Sequence, residues 1–588
     1  MEILENNHTS IVQSNNNLIV EVEHENGNII LKPKDIELNN IIIVNNTDIE
    51  SYVDGDLLLV NIDDNLKNNC YYGEFIKYLG HVDDPNTDLQ NIARNNDINI
   101  EFSEQAMKEA DSLPNKVLDS EIHGRLDLTK ELIFSIDCKD TKDRDDAISL
   151  HLDKDGNYIL GVHIADVSHY VHPGMKLWDE AMERCTSVYM ANSVIPMLPR
   201  KLSNGICSLN PNEKRLAFSC ISKISPKGQI LDYEFVDTVI ESKLSLTYDV
   251  ATDIIEGKNK NYDYNLFLTL RLMNQLSNIL ENAKNKRGAI DFGCNDVVVE
   301  FDEKDNPIDL KLRLRNKAEQ LIANFMQVAS QCAALYVSSP APYRVHDKPA
   351  FRDLQDALDT LNHTRIKVTH VDDIVNPKAI QRILKEIKSE PSRNIAANII
   401  LRAMRPARYS PYNIGHYALG LDKYTQFTSP IRRASDLMLH VVMKSENTLD
   451  RSKLPYFSVY EMNNFCIYAT KKEAYAINAE RQALLYETKK YIEDHYEDKF
   501  EAIVTYISPS GIFIKTSQGI EGKIYVDDIE GEDFTYDYKN NVYRSKKRDY
   551  VINIGTKLVL TPLDTSLENK AINFSIKYED LLALKKRN

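Results

Sequence analysis

The chain has 588 residues and carries 71 Lys and Arg against 88 Asp and Glu, a formal net charge of −17 at pH 7. That length suggests about four domains of ~150 residues each, with ample apolar core, and the acidic balance by itself favours a small-molecule or protein partner over nucleic acid. No apolar run approaches the ~20 residues that span a bilayer, and the start Met1-Glu2-Ile3-Leu4-Glu5-Asn6-Asn7 lacks the basic and apolar regions of a secretory leader, so a cytoplasmic protein without membrane attachment is expected.

Residues 1–80 consist of short alternating segments such as Leu18-Ile19-Val20-Glu21-Val22 and Leu57-Leu58-Leu59-Val60-Asn61-Ile62, the pattern of a small β-barrel. Residues 81–120 read as a helical connector, with Ser103 as a candidate cap for the segment beginning at Glu104. Next come Asp137, Asp140, Asp143, Asp145 and Asp146, five carboxylates within ten residues. An acidic run is usually a solvated loop. This one leads into the alternating strand Ala147-Ile148-Ser149-Leu150-His151-Leu152, the turn Asp153-Lys154-Asp155-Gly156-Asn157 and a second apolar strand, Tyr158 to Ile164, which ends at another carboxylate, Asp166. The pattern is a hairpin at the edge of a core.

Two like charges ~4 Å apart repel by roughly 4 kcal/mol at an effective dielectric near 20. A packed acidic cluster therefore needs solvent, protons or a bound cation, and oxygen ligands favour Mg²⁺ or Mn²⁺. In an extended segment Asp143 and Asp145 point to one side ~6 to 7 Å apart while Asp146 points elsewhere, so a bend or loop could wrap them around a bound cation. An EF-hand is excluded, because its loop requires alternate acids, then Gly, then a distant Glu.

Strands mix with long helical patterns over 121–445, a charged helical segment spans 446–496, and strands return over 497–588, the length of an OB-fold with a basic tail at Lys585-Lys586-Arg587. The eight cysteines, at 70, 138, 185, 207, 220, 294, 332 and 466, form no C-x-x-C pair, which disfavours zinc and fits a reducing compartment. Although the chain is acidic overall, basic clusters at Arg313, Arg315 and Lys317, at Arg432-Arg433, at Lys471-Lys472 and at Arg544, Lys546, Lys547 and Arg548 are each either a solvated face or a track for a phosphate backbone.

The D-x5-D-x-D-D spacing of Asp137, Asp143, Asp145 and Asp146 resembles that of the RNB exoribonucleases, the ribonuclease II and ribonuclease R family. Further matches follow in the family's order: Gly161-Val162-His163-Ile164-Ala165-Asp166-Val167, Thr186-Ser187-Val188-Tyr189, Ile195-Pro196-Met197-Leu198-Pro199, Leu202 to Leu209, Tyr343-Arg344-Val345-His346, and Phe427-Thr428-Ser429-Pro430-Ile431-Arg432-Arg433. The resemblance covers roughly 70–580 and is greatest to the ribonuclease R branch. It implies an α+β multidomain fold, with a central mixed α/β RNB catalytic domain flanked by cold-shock-like and S1-type OB-fold barrels.

The same resemblance implies processive hydrolysis of RNA from its 3′ end to 5′-nucleoside monophosphates, with two Mg²⁺ ions, or Mn²⁺, in a deep channel. Asp137, Asp143, Asp145 and Asp146 are the implied metal ligands, and Asp145 the most rate-critical, as ligand or in positioning the attacking water. Arg432 is the expected phosphate grip; Arg433 shares or takes that role unless it is bonded to a carboxylate such as Asp436. Tyr189 matches the position that contacts the terminal nucleotide, and Phe292, Tyr343, Arg344, His346, Glu480 and Phe513 complete the expected RNA contacts. The implied partners are single-stranded RNA, RNA with 3′ overhangs, and the ribosome or structured RNA, with the chain acting as a monomer.

Departures from the family pattern qualify the transfer. There is room for one amino-terminal cold-shock-like barrel where ribonuclease R usually has two, and that barrel reads as poor in aromatics apart from Tyr52, so it is expected to shape the channel mouth rather than grip RNA. In the carboxy-terminal barrel Ser510 and Ile512 stand beside Phe513, Tyr525 replaces the usual histidine, and RNA affinity there is expected to be modest. Ala434-Ser435-Asp436 stands where the family commonly has Tyr-Pro-Asp. The rivals are a silent RNA-binding relative, which would typically lack metal carboxylates, and a metal-dependent nuclease acting on another phosphodiester.

Overall fold

The alternation in the amino-terminal segments closes a barrel. In a computed structural model, which describes residues 17–25, 28–33, 42–44, 52–62, 71–81, 87–259, 262–293, 296–362, 364, 366, 368, 373–447, 457–547, 550–564 and 571–581, the strands Asn17–Glu25, Asn28–Pro33, Ile42–Val44, Tyr71–His81 and Asp56–Ile62 follow one another around it. Inward-facing Val20, Val22, Leu31, Leu58 and Val60 form its core. The expectation of an aromatic-poor barrel is overturned: Tyr52 stacks on Tyr78 with centroids 5.8 Å apart and lies 6.1 Å from Phe75. The strand Tyr71–His81 supplies the rings that the apolar alternation did not reveal.

The chain divides into two compact units, residues 1–101 with 481–483, and residues 102–480 with 484–588. The segment read as one helical connector is split between them. Thr87–Asn95 lies in the first, and Glu104–Ser112, whose cap Ser103 accepts the Ala106 N–H at 3.3 Å, lies in the second.

The second unit is built on a five-stranded sheet in the order Leu126–Asp127, Ile230–Glu241, Lys214–Ile224, Tyr158–Ala165, Asp146–Leu152. The last two strands are the expected hairpin. Asp153 closes its turn by accepting the N–H groups of Asp155 at 2.9 Å and Asn157 at 2.8 Å, and Gly156 takes φ of 78°. Gly161 lies where a Cβ would come within 2.4 Å of Ser149 Oγ and 2.7 Å of His163 Nε2. His163 is thereby held between Ser149 and Ser219.

Tyr264–Arg287, Lys317–Tyr336, Ala434–Asn447 and the beginning of Val459–Asp494 contribute apolar residues to the core on this sheet. A second core joins the helices Phe351–Asn362, Pro377–Glu386 and Glu390–Arg402 to a closed carboxy-terminal barrel of Phe500–Ser508, Gly511–Thr516, Glu521–Ile524, Ile572–Ser575 and Lys557–Asp564, the five strands expected of an OB-fold. Cys138, Cys185, Cys207, Cys220, Cys332 and Cys466 are free thiols. Among the described residues no helix is long and apolar enough to cross a membrane. Arg548, Cys70, Cys294 and the basic tail at 585–587 lie outside the described residues.

Candidate active site

Asp137 ends the strand Ser135–Asp137 and Asp146 begins Asp146–Leu152. Paired backbone bonds between Phe134 and Ile148, at 3.2 and 2.9 Å, fold these strands against each other, so the acidic loop doubles back. The Leu202–Leu209 motif pins that loop. Buried Ser208 accepts the Arg144 N–H at 3.1 Å and donates to the Lys142 carbonyl at 2.7 Å, while the Leu209 N–H donates to the Arg144 carbonyl at 3.0 Å.

Folding this loop into the protein makes its charges costly. Burial, reinforced by Asp137, pushes the Asp146 carboxyl up to about 8. Burial likewise raises Asp137 to about 6 against the opposing Ser135 hydroxyl and Arg144. Asp145, 4% exposed, is driven well above the usual carboxylate range by burial despite Arg432 and the Ile431 N–H. Its Oδ1 accepts that N–H at 2.8 Å and its Oδ2 lies 3.4 Å from Arg432 Nε.

The segment Ser429–Arg433 reaches the acids from far along the chain. Two adjacent arginines there face opposite ways. Arg432, 41% exposed at its side chain, lies beside Asp145 and donates to Ser429 Oγ at 3.0 Å. Arg433 turns inward and donates twice to fully buried Asp436, at 3.2 and 2.7 Å. Backbone bonds from the Ser187 N–H to the Arg432 carbonyl at 3.0 Å and from the Ala434 N–H to the Cys185 carbonyl at 2.8 Å tie this segment to the strand Val188–Met190. That strand carries Tyr189, whose hydroxyl donates to Asp143 Oδ2 at 3.3 Å and whose N–H donates to Glu480 Oε1 at 3.0 Å. Asp143, Tyr189 and Glu480 thus form one chain of hydrogen bonds.

The donor set fits a hard divalent cation. It consists of carboxylate oxygens, and Asp137 Oδ2 and Asp145 Oδ2 are buried without a hydrogen-bond partner. The acids do not form a closed cage: among the described residues no three His, Cys, Asp or Glu side chains converge as a metal cluster. Asp143 is engaged by Tyr189 and Asp145 Oδ1 by Ile431. Asp137, Asp143, Asp145 and Asp146 are the residues that would hold an ion.

Other expected contacts lie elsewhere. Tyr343 is a core residue with its hydroxyl on the Val337 carbonyl, so its ring is not presented to RNA. His346, 7% exposed, is held between the Arg405 carbonyl at 2.6 Å and the Ala418 N–H at 3.1 Å, and burial lowers its pKa. Arg344 is bound to Glu473 at 2.7 Å and lies over the Tyr409 ring. Phe292 packs against the second core. Phe513 is half-buried on the carboxy-terminal barrel, with Tyr506 at 5.6 Å and Lys523 near both Phe513 and Tyr525. Asp166 does not join the acids, being bound to Arg125 at 2.8 Å and Lys444 at 2.6 Å. Several basic clusters are neutralised on the surface, as in Arg313 with Glu319, Lys317 with Glu256 and Arg544 with Asp537.

The sequence reading missed Arg144, Asn210 and Ser245. Arg144 Nε donates to Ser245 Oγ at 3.0 Å and its NH1 to Asn210 Oδ1 at 3.1 Å. The available signal was a cation inside an acidic run, four residues of which are carboxylates of the recurring pattern.

Comparison with known proteins agrees with this architecture. The RNB domain model matches residues 125–447 and the cold shock domain model matches residues 30–103. The chain is 34% identical over 524 residues to ribonuclease R of Thermotoga maritima, covering 86% of this chain and 72% of that protein. It is 35% identical over 474 residues to ribonuclease R 1 of Lactococcus lactis, covering 79% of this chain and 58% of the relative's length. The solved structure of Mycoplasma genitalium RNase R in complex with ribose methylated single-stranded RNA superposes with a TM-score of 0.88 at 26% identity, covering 96% of this chain and 90% of that one. With the RNB model matched across the sheet, the acidic loop and the arginine segment, the chain belongs to the RNB family of exoribonucleases and is most similar there to ribonuclease R.

Proposed function

We propose that this protein hydrolyses RNA processively from its 3′ end to 5′-nucleoside monophosphates, using two divalent ions at Asp137, Asp143, Asp145 and Asp146. The observation that carries the reading is the meeting of this buried acidic loop with Arg432 and with the Asp143, Tyr189 and Glu480 chain. Bound divalent ions would supply an activated water and stabilise the departing 3′ oxygen. The Ile431 N–H holds Asp145 in one orientation. Arg432, half-exposed, is available to a phosphate whose charge grows during hydrolysis. Tyr189 offers a partly exposed ring to the last base while its hydroxyl and N–H are fixed. Arg433 serves to hold this segment through Asp436. The Tyr506, Phe513, Lys523 and Tyr525 face of the carboxy-terminal barrel is a candidate contact for RNA bases.

Binding of single-stranded RNA by the M. genitalium relative supports the substrate class, and RNA with a 3′ overhang extends it. The test is a time course on 5′-labelled single-stranded RNA with Mg²⁺, with EDTA and with Asp145→Asn, beside DNA of the same sequence. Disappearance of full-length RNA into a short terminal fragment and 5′-monophosphates, dependent on both metal and Asp145, supports the reading. RNA bound but unchanged under every metal condition overturns it.

A further inference from the structure

We infer that Arg144 is a resident counter-cation of the carboxylate site and sets how tightly that site takes a divalent ion; this rests on the metal reading above. Arg144 stands in the acidic run itself, between Asp143 and Asp145, and its side chain is only 17% exposed. All of its side-chain hydrogen bonds go to neutral acceptors, Ser245 Oγ and Asn210 Oδ1, and its backbone is fixed by Ser208 and Leu209. Its charge is therefore held in place without being spent on a hydrogen-bonded carboxylate. Arg433, by contrast, is bonded to Asp436 and Arg125 to Asp166.

The carboxylate that Arg144 approaches is Asp137, whose Oδ2 lies 3.9 Å from Nε. That distance is too long for a hydrogen bond, and the same oxygen is buried with no hydrogen-bond partner. One of the two oxygens most available to a cation thus faces a fixed positive charge. The guanidinium has two consequences. It offsets the repulsion among the acids, allowing the loop to pack before an ion arrives, and it opposes the entry of that ion. Arg432 differs, being more exposed and bonded only to Ser429 among neutral groups, so it is free to follow a substrate phosphate. Each arginine offsets part of the negative charge that the carboxylates carry once they take up a divalent ion; neutralising Arg144 removes one such offset, and the site then attracts the ion more strongly. Asn210 and Ser245 keep the guanidinium from swinging away when the ion binds.

The experiment is Mn²⁺ titration of the full chain, stripped with EDTA and free of RNA, followed by the electron paramagnetic resonance of unbound Mn²⁺ and by calorimetry. Arg144→Met removes the charge at similar length, Arg144→Gln removes it while keeping an amide donor, and Arg144→Lys keeps it. The expected result is that Met and Gln variants bind Mn²⁺ about tenfold more tightly, and Lys within about threefold of the parent. Both neutral variants should also melt lower in EDTA and recover on Mn²⁺ addition, giving a larger metal-induced rise in Tm than the parent. If Arg144→Met fails to fold, Arg144→Gln decides. Unchanged or weaker Mn²⁺ binding by a folded Gln variant overturns this role alone. Absence of Mn²⁺ binding by the parent overturns the metal site and the role of Arg144 together.

Discussion

Asp145→Asn separates chemistry from folding. Asn keeps an Oδ1 for the Ile431 N–H, now accepted at 2.8 Å, and removes only the charge facing Arg432 Nε at 3.4 Å. The attraction lost is about 5 kcal/mol at an effective dielectric near 20, against a desolvation cost of several kcal/mol for a buried ion. Asp143 and Asp146 add repulsion, and the carboxyl sits well above its ordinary range. Burial and repulsion therefore outweigh the favourable partners, so a neutral side chain of the same shape costs the folded state little. Scanning fluorimetry in EDTA should find a Tm within ~2 °C of the parent or higher, and fluorescence anisotropy should find RNA affinity retained. Hydrolysis should fall at least ~10³-fold, beyond the loss of a single stabilising donor. A Tm drop of more than ~5 °C together with lost RNA binding would make Asp145 a structural residue and refute the reasoning, as would hydrolysis within ~tenfold of the parent.

The two adjacent arginines should separate in the same way. Arg432→Ala should lower hydrolysis ~10²-fold at unchanged Tm, whereas Arg433→Ala leaves Asp436 buried and unpaired and should cost roughly 3 to 5 kcal/mol in denaturant unfolding; equal effects on stability would contradict the assignment. Asp166→Ala removes the buried carboxylate shared by Arg125 and Lys444 and leaves them the part-exposed Asp237, at 3.8 and 2.9 Å, so a loss of roughly 3 kcal/mol is expected by the same measurement. Burial lowers His163 and His440 to about 4. As pH falls, the unfolded chain takes up these protons first, so this contribution to stability is complete above about 6.5 and is lost on descending toward about 4, roughly 3 kcal/mol for each ring. Asp137 and Asp146, raised to about 6 and about 8, act with the opposite sign over their own range. The measurement is therefore the difference in Tm against pH between the parent and His163→Gln, and a flat difference from pH 7 to 4 would count against a neutral buried ring.

Local pattern in the sequence was enough to specify the hairpin after the acids, the Ser103 cap, both closed barrels and the D-x5-D-x-D-D spacing, because strand alternation, turn residues and caps act over a few residues. Tyr189 and Glu480 came from the family resemblance rather than from local pattern, and the fold joins them to Asp143. Pairing and burial were decided only by tertiary structure. Arg432 and Arg433 are equivalent in local pattern, yet one meets Asp145 from a remote loop and the other meets Asp436 on the following helix. Tyr343 and His346 belong to a recurring motif, but the core encloses them. Asp166 looked like a further acid until Arg125 and Lys444 arrived from 41 and 278 residues away. Arg144 looked like one charge in a mixed run until Asn210 and Ser245, 66 and 101 residues on, held it beside Asp137. Short-range sterics select strands and turns from neighbouring residues, whereas the state of a buried charge depends on which distant groups the fold brings within a few ångströms of it.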